Sequence, residues 1–167
     1  ADDGILNHAG WTATLDPATG DIASIRAPSG AELLGRDGSL MGFRHESYDA
    51  ADVVVHMDSY LVHGEDWAIL DHGKPGLENA RTAISAVWAP EPAGDGFAMP
   101  ERARRDLGAP ATVAWSLLCE GPDVAVLTLI LRGKPANRMP EAGFLHVAPE
   151  AMRNWQVRKM GIWHESY

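Results

Sequence analysis

The sequence predicts a mostly β chain, an antiparallel β-sandwich with one short helix, and three observations carry that prediction. Trp11, Ala13 and Leu15, then Ile22 and Ile25, are apolar positions set among polar ones, the pattern of strands with one buried face. Between them lies Asp16-Pro17-Ala18-Thr19-Gly20, where proline fixes one φ and glycine supplies a positive one. A second turn, Ala27-Pro28-Ser29-Gly30, follows at once, and strand–turn–strand–turn with one apolar face is how a β-sandwich begins. Third, Val124–Leu131 is an almost unbroken apolar run, the signature of a central strand covered on both faces.

Taken in order, residues 1–9 read as a tail or linker and residues 10–167 as the sandwich domain. Strands are expected near 10–16, 21–26 and 39–46. The period then changes. Val53, Met57, Tyr60 and Leu61 recur at helical spacing, Asp49 is placed to cap the helix, and Asp52 in the first turn suits its dipole. Three consecutive valines favour a strand there on propensity; the spacing favours the helix, which Gly64 would end. Residues 64–80 form a loop of glycine, proline, histidine and aspartate, and a strand follows at about 81–89. Residues 90–110, with Arg102, Arg104 and Arg105 clustered, form a long loop of the functional or disordered kind, and the composition favours disorder. Ala111–Leu118 and Val124–Arg132 are strands joined by a turn at Glu120-Gly121-Pro122-Asp123, and 141–148 and 154–163 are two more. Trp11, Trp88 and Trp115 fall within strands and are expected in the core.

A chain of 167 residues is the length of one domain and long enough to bury a core. Its net charge of −9 argues against a nucleic-acid partner and against an anionic membrane surface, both of which need a basic footprint. No apolar run approaches the roughly 20 residues of a membrane span, and no basic-then-apolar leader is visible. Cys119 is the single cysteine, so neither a disulfide framework nor a cysteine-rich zinc site is expected; it reads as a small buried hydrophobe. Together these favour a cytoplasmic location. Gly161–Tyr167 reads as mid-strand sequence, which suggests a piece of a longer protein.

The first strand, the Asp16-x-x-Thr19-Gly20 turn, the short strand after it and the Gly30-x-x-Leu33 turn resemble the start of the C-terminal β-sandwich of family-38-type α-mannosidases. Gly133-Lys134-Pro135-Ala136-Asn137-Arg138-Met139-Pro140-Glu141-Ala142, with Trp67, Asp71-x-Gly73-Lys74-Pro75-Gly76, Trp155 and Lys159-Met160-Gly161, is similar to an uncharacterised family related to those enzymes (domain of unknown function 5054). The resemblance covers most of residues 10–163. It implies a galactose-mutarotase-like supersandwich and the role of a non-catalytic accessory domain that packs on the catalytic barrel of a glycoside hydrolase, a barrel absent from this chain. The carboxylate pair and the zinc of such enzymes belong to that barrel. No catalytic residue, metal or cofactor is therefore expected here, and the expected partner is the catalytic domain of the same parent chain.

Candidate carbohydrate-contacting residues gather in one loop. Trp67 offers an aromatic face for a sugar ring, and Asp66, Asp71, His72 and Lys74 offer hydroxyl partners. The competing reading is that Trp67 anchors the loop on the core. Glu141, at a strand start after Pro140, either faces a cleft or pairs with Arg138 or Lys159. His63, Glu65 and Asp66 with Asp71 and His72 are zinc-type ligands, but their spacing matches no closed site. Two further functions stay open: a free-standing carbohydrate-binding module, and a sugar epimerase in which His45, His56, His146 and Glu141 converge for acid–base work. An accessory domain implies an exposed apolar patch, a binding module an aromatic platform, and an epimerase a pocket with His and Glu within hydrogen-bond reach.

Overall fold

The computed structural model describes residues 4–60, 82–121, 123–137, 139–148, 156–159 and 162–165. In chain order the elements are β1 (Ile5–His8), β2 (Trp11–Leu15), β3 (Ile22–Arg26), β4 (Ser39–Ser47), α1 (Ala50–Tyr60), β5 (Ala86–Trp88), β6 (Glu91–Ala93), β7 (Gly96–Ala98), α2 (Glu101–Asp106), β8 (Thr112–Cys119), β9 (Ala125–Arg132), β10 (Glu141–Ala148), β11 (Gln156–Lys159) and β12 (Ile162–Glu165). One sheet has the order β1-β2-β3-β4-β10 with β5 also on β4, the other the order β6-β7-β8-β9, and β11 pairs with β12. The chain is thus mostly β and antiparallel, a β-sandwich. It divides into two compact units, one holding the chain up to Gly42, residues 115–128 and the chain from Leu145, the other Phe43–Ala114 and Leu129–Phe144.

The first unit is shaped by its turns. Ala9 and Gly10 join β1 to β2 with φ of 46° and 85°, the two positive values of a type I′ hairpin. Residues 5–8, read above as tail or linker, are therefore a strand, paired from Ile5↔Thr14 to His8↔Trp11. With two apolar and two polar residues and no alternation between them, Ile5-Leu6-Asn7-His8 carries no strand period, and most of it is exposed. In the next turn the Asp16 carboxylate accepts the N–H groups of Ala18 at 2.8 Å and Thr19 at 3.0 Å, and Gly20 takes φ 72°. After β3, Glu32 accepts the Ser24 hydroxyl at 2.6 Å and the N–H groups of Ile25 and Leu34 at 3.1 Å each. Burial pushes that carboxyl up, but these bonds and Arg26 outweigh it and hold it below the usual range. Leu34 turns inward while Leu33 is exposed. Trp11, Ala13, Ile22, Ile25 and Leu34 form the core with Trp115 and Leu117 of β8.

In the second unit Phe43, His45 and Ser47 of β4 are buried on one face. Trp88, expected in the core, is half-buried and donates its indole N–H to Ser47 Oγ at 3.0 Å. The cap on α1 is as expected and closes as a box: Asp49 Oδ1 accepts Ala51 and Asp52 N–H, and Asp52 Oδ2 accepts Asp49 N–H. Residues 90–110 are ordered, contrary to the expectation. They form the β6–β7 hairpin and a second helix, α2, because Pro90, Met99, Ala103, Leu107, Ala109 and Pro110 are buried at intervals along them.

Strand β9 is a correction. It lies at the end of its sheet rather than the centre, and Val124 beside it and Leu131 within it are exposed. The apolar run records β-propensity; position follows connectivity. A tight turn makes β9 the neighbour of β8, and β10 then joins β4 in the other sheet, so no described strand covers β9's outer edge. Strand β8 is the covered one, alternating buried Val113, Trp115 and Leu117 with exposed residues. Val113→Asp is therefore expected to abolish cooperative folding, since a buried unpaired charge costs several kcal/mol out of about 5–15. Val126→Asp on β9 should still fold, with a loss near 1 kcal/mol. Thermal melts of the two variants check the ranking.

Candidate functional site

Of the carbohydrate-site residues expected above, Asp66, Trp67, Asp71, His72 and Lys74 lie outside the described residues, as do His63 and Glu65. Glu141 is described, and a polar cluster is built around it.

Glu141 opens β10 beside β4. Tyr48 N–H donates to Pro140 O at 3.0 Å, and a Cβ on Gly143 would lie 3.3 Å from the Phe43 ring. Two residues further along β4 and two back along β10, His45 meets Glu141: Nε2 lies 3.4 Å from Oε2. The same nitrogen is 3.2 Å from Leu107 O. A carbonyl only accepts, so Nε2 carries the proton of the neutral ring. That N–H is aimed at Leu107, which leaves Glu141 Oε2 buried without a hydrogen bond although the imidazole is its neighbour. The other oxygen, Oε1, is ion-paired with Lys134 Nζ. His45 has 2% of its side chain exposed, Glu141 16% and Lys134 40%, so the cluster is sealed at the histidine and open at the lysine.

Backbone geometry makes room for it. Gly108 has φ 77°, and a Cβ there would run into Asn137 and approach Glu141 Oε2 to 3.0 Å. Asn137 is oriented by accepting Met139 N–H at 2.9 Å. Gly133, at φ 68°, turns the chain out of β9, and a Cβ on it would lie 2.7 Å from that of Ala111. The cluster thus draws together β4, the turn after α2, the connection 133–139 and β10.

Burial pushes the proton affinity of His45 down. Glu141 and the Leu107 carbonyl push it back up, Lys134 adds to the lowering, and the net result lies below the ordinary histidine value. The ring is neutral at pH 7 and could donate or relay a proton only to a group that reaches it.

Of the partners expected for Glu141, Arg138 and the side chain of Lys159 lie outside what is described; among the described residues the cation on its carboxylate is Lys134, brought back by the turn at Gly133. Of the three histidines considered with it, His45 arrives. His146 Nδ1 lies 3.3 Å from Ser39 Oγ, and His56 is on an exposed position of α1. Cys119 is half-buried rather than buried, and its thiol donates to His8 O at 3.1 Å. Among the described residues no three His, Cys, Asp or Glu side chains are grouped to hold a metal ion. No described helix is long and apolar enough to cross a membrane. Sequence reasoning named His45 and Glu141 together, with His56 and His146, in the epimerase reading; Leu107 and Gly108 gave no signal beyond a glycine after a leucine.

No protein-family model, curated protein or solved structure matches this chain.

The neutral, buried His45 has a consequence for stability. An ordinary histidine takes up its proton near pH 6.5, as in the unfolded chain, while His45 in the fold stays neutral to lower pH. Between those points the unfolded state binds more protons, so stability falls as pH falls. Urea unfolding at pH 7.5 and 5.5 should show a larger acid loss for the wild type than for His45→Gln. Equal losses would mean that His45 is not held neutral by the fold.

Proposed function

We propose that this chain is a non-catalytic accessory β-sandwich domain of a glycoside hydrolase, working beside a catalytic barrel carried elsewhere, with carbohydrate as the substance it meets. One observation carries the non-catalytic part of this reading: the imidazole–carboxylate pair is turned inward. A general acid or base must come within about 3 Å of the proton it moves, directly or through one water. His45 is 2% exposed and its N–H is directed at Leu107 O. Lys134 lies on the carboxylate from the open side. The cluster joins loops to strands, the work of a scaffold. The glycosidase part rests on the resemblance of the Asp16–Gly20 and Gly30 turns and of the 133–142 segment.

A sugar epimerase is the second reading, and the 3.4 Å approach of His45 to Glu141 favours it. Such an enzyme needs the same two groups, opened to a pyranose ring.

The two readings separate in one assay series. The chain is incubated with aryl mannosides, galactosides and glucosides, with and without zinc, and mutarotation of α-galactose and α-glucose is followed by polarimetry. Background rates throughout are expected. Catalysis that disappears in Glu141→Gln would overturn the accessory role, and mutarotation in particular would install the epimerase.

A further inference from the structure

Glu141 is the shared anion of two cationic or potentially cationic groups. Its Oε1 is held by Lys134, and its Oε2 faces His45 Nε2 at 3.4 Å without a hydrogen bond of its own. With His45 neutral, the cluster has one negative and one positive charge and sums to zero. A proton added to His45 would leave a net positive charge in a place that water scarcely reaches, and a buried net charge is costly. The three groups differ in how they can respond. His45 is buried and fixed on β4, and Glu141 is fixed on β10, whereas Lys134 is 40% exposed on a connection and has solvent beside it. Departure of the lysine restores neutrality with an imidazolium–carboxylate pair already near contact.

We propose that His45, Glu141 and Lys134 form a proton-operated exchange, in which one proton taken from solvent by His45 draws Glu141 Oε2 onto the imidazolium and releases Lys134 with residues 133–137. The proton enters at Nδ1, since Nε2 already carries one. The charged groups that act on His45 are Glu141, from β10, and Lys134, from the connection. The turn after α2 contributes the Leu107 carbonyl, and Trp88, its register partner on β5, is uncharged. Mild acid therefore loosens residues 133–137 while the β4–β10 pairing holds. Like other histidine-based switches, the device works on the acid side of neutrality.

The test is a pH titration of the ¹⁵N-labelled chain by NMR, following the His45 ring nitrogens and the backbone amides of residues 134–137. The amide shifts are expected to move with the same midpoint as the His45 ring. Lys134→Met, which removes the competing cation, should raise that midpoint. Glu141→Gln, which removes the anion, should lower it. The opposite signs report that both charges act on His45, and the exchange itself is read from the amides of 134–137, which a static cluster would leave still. The proposal is overturned if the connection's amides stay still while His45 titrates, or if Lys134→Met leaves the midpoint unchanged or lowers it. These two readouts decide the matter even if Glu141→Gln does not fold.

Discussion

The indole of Trp115 donates its N–H to the Met41 carbonyl at 3.0 Å, at the point where β4 leaves extended geometry and Met41 takes a φ of 57°. Positive φ is uncommon for a residue with a side chain, and it persists where the surroundings enforce it. The next residue shows how tightly they do so. A Cβ on Gly42 would lie 2.6 Å from a carboxylate oxygen of Asp21, itself buried. Side chains alternate along a strand, so this break decides which of them point inward for the rest of β4. Phe43, His45 and Ser47 do. A slip of one residue would bury Arg44 and Glu46 in their place.

That register explains the polar cluster. An imidazole placed in a core must find partners or remain neutral. His45 does both: its N–H goes to Leu107 O, and its neutrality is favoured by burial and by Lys134. The 107–108 turn, the 133–139 connection and the start of β10 fold up to the histidine, and glycine at 108 is required because Asn137 and Glu141 fill the space where a side chain would go. The histidine and the glutamate that look catalytic in sequence are both packed into the fold, His45 buried and Glu141 ion-paired with Lys134.

What could be read from the sequence was chemistry that stays local. The Asp16–Gly20 turn is specified by its own side chain and glycine, and the α1 cap by Asp49 and Asp52, which sit three residues apart. Strands β2, β3, β8 and β10 followed from alternation or bounding turns. What could not be read depends on distant partners. Strand β1 is short, mostly exposed and without alternation, and only its pairing with β2 across a two-residue turn makes it a strand. Residues 90–110 look like a loop because their buried anchors are single residues, Met99, Ala103 and Leu107, too few to show a period in the sequence. The edge position of β9 comes from the path of the chain. Glu141 was legible as a candidate, but its partner Lys134 depends on the direction in which the connection returns.

Close packing against Asp21 holds the Met41–Gly42 break from which the register of β4 follows, and the unfolding free energy of Gly42→Ala tests that most directly. The added methyl group would lie 2.6 Å from the buried Asp21 carboxylate, which must shift, so a loss of about 2–3 kcal/mol is predicted. Gly96→Ala, where nothing lies within 4 Å of the new carbon, should stay within roughly 0.5 kcal/mol of wild type. A Gly42→Ala protein as stable as Gly96→Ala would contradict this, because the Met41–Gly42 backbone would then not be held in place by Asp21.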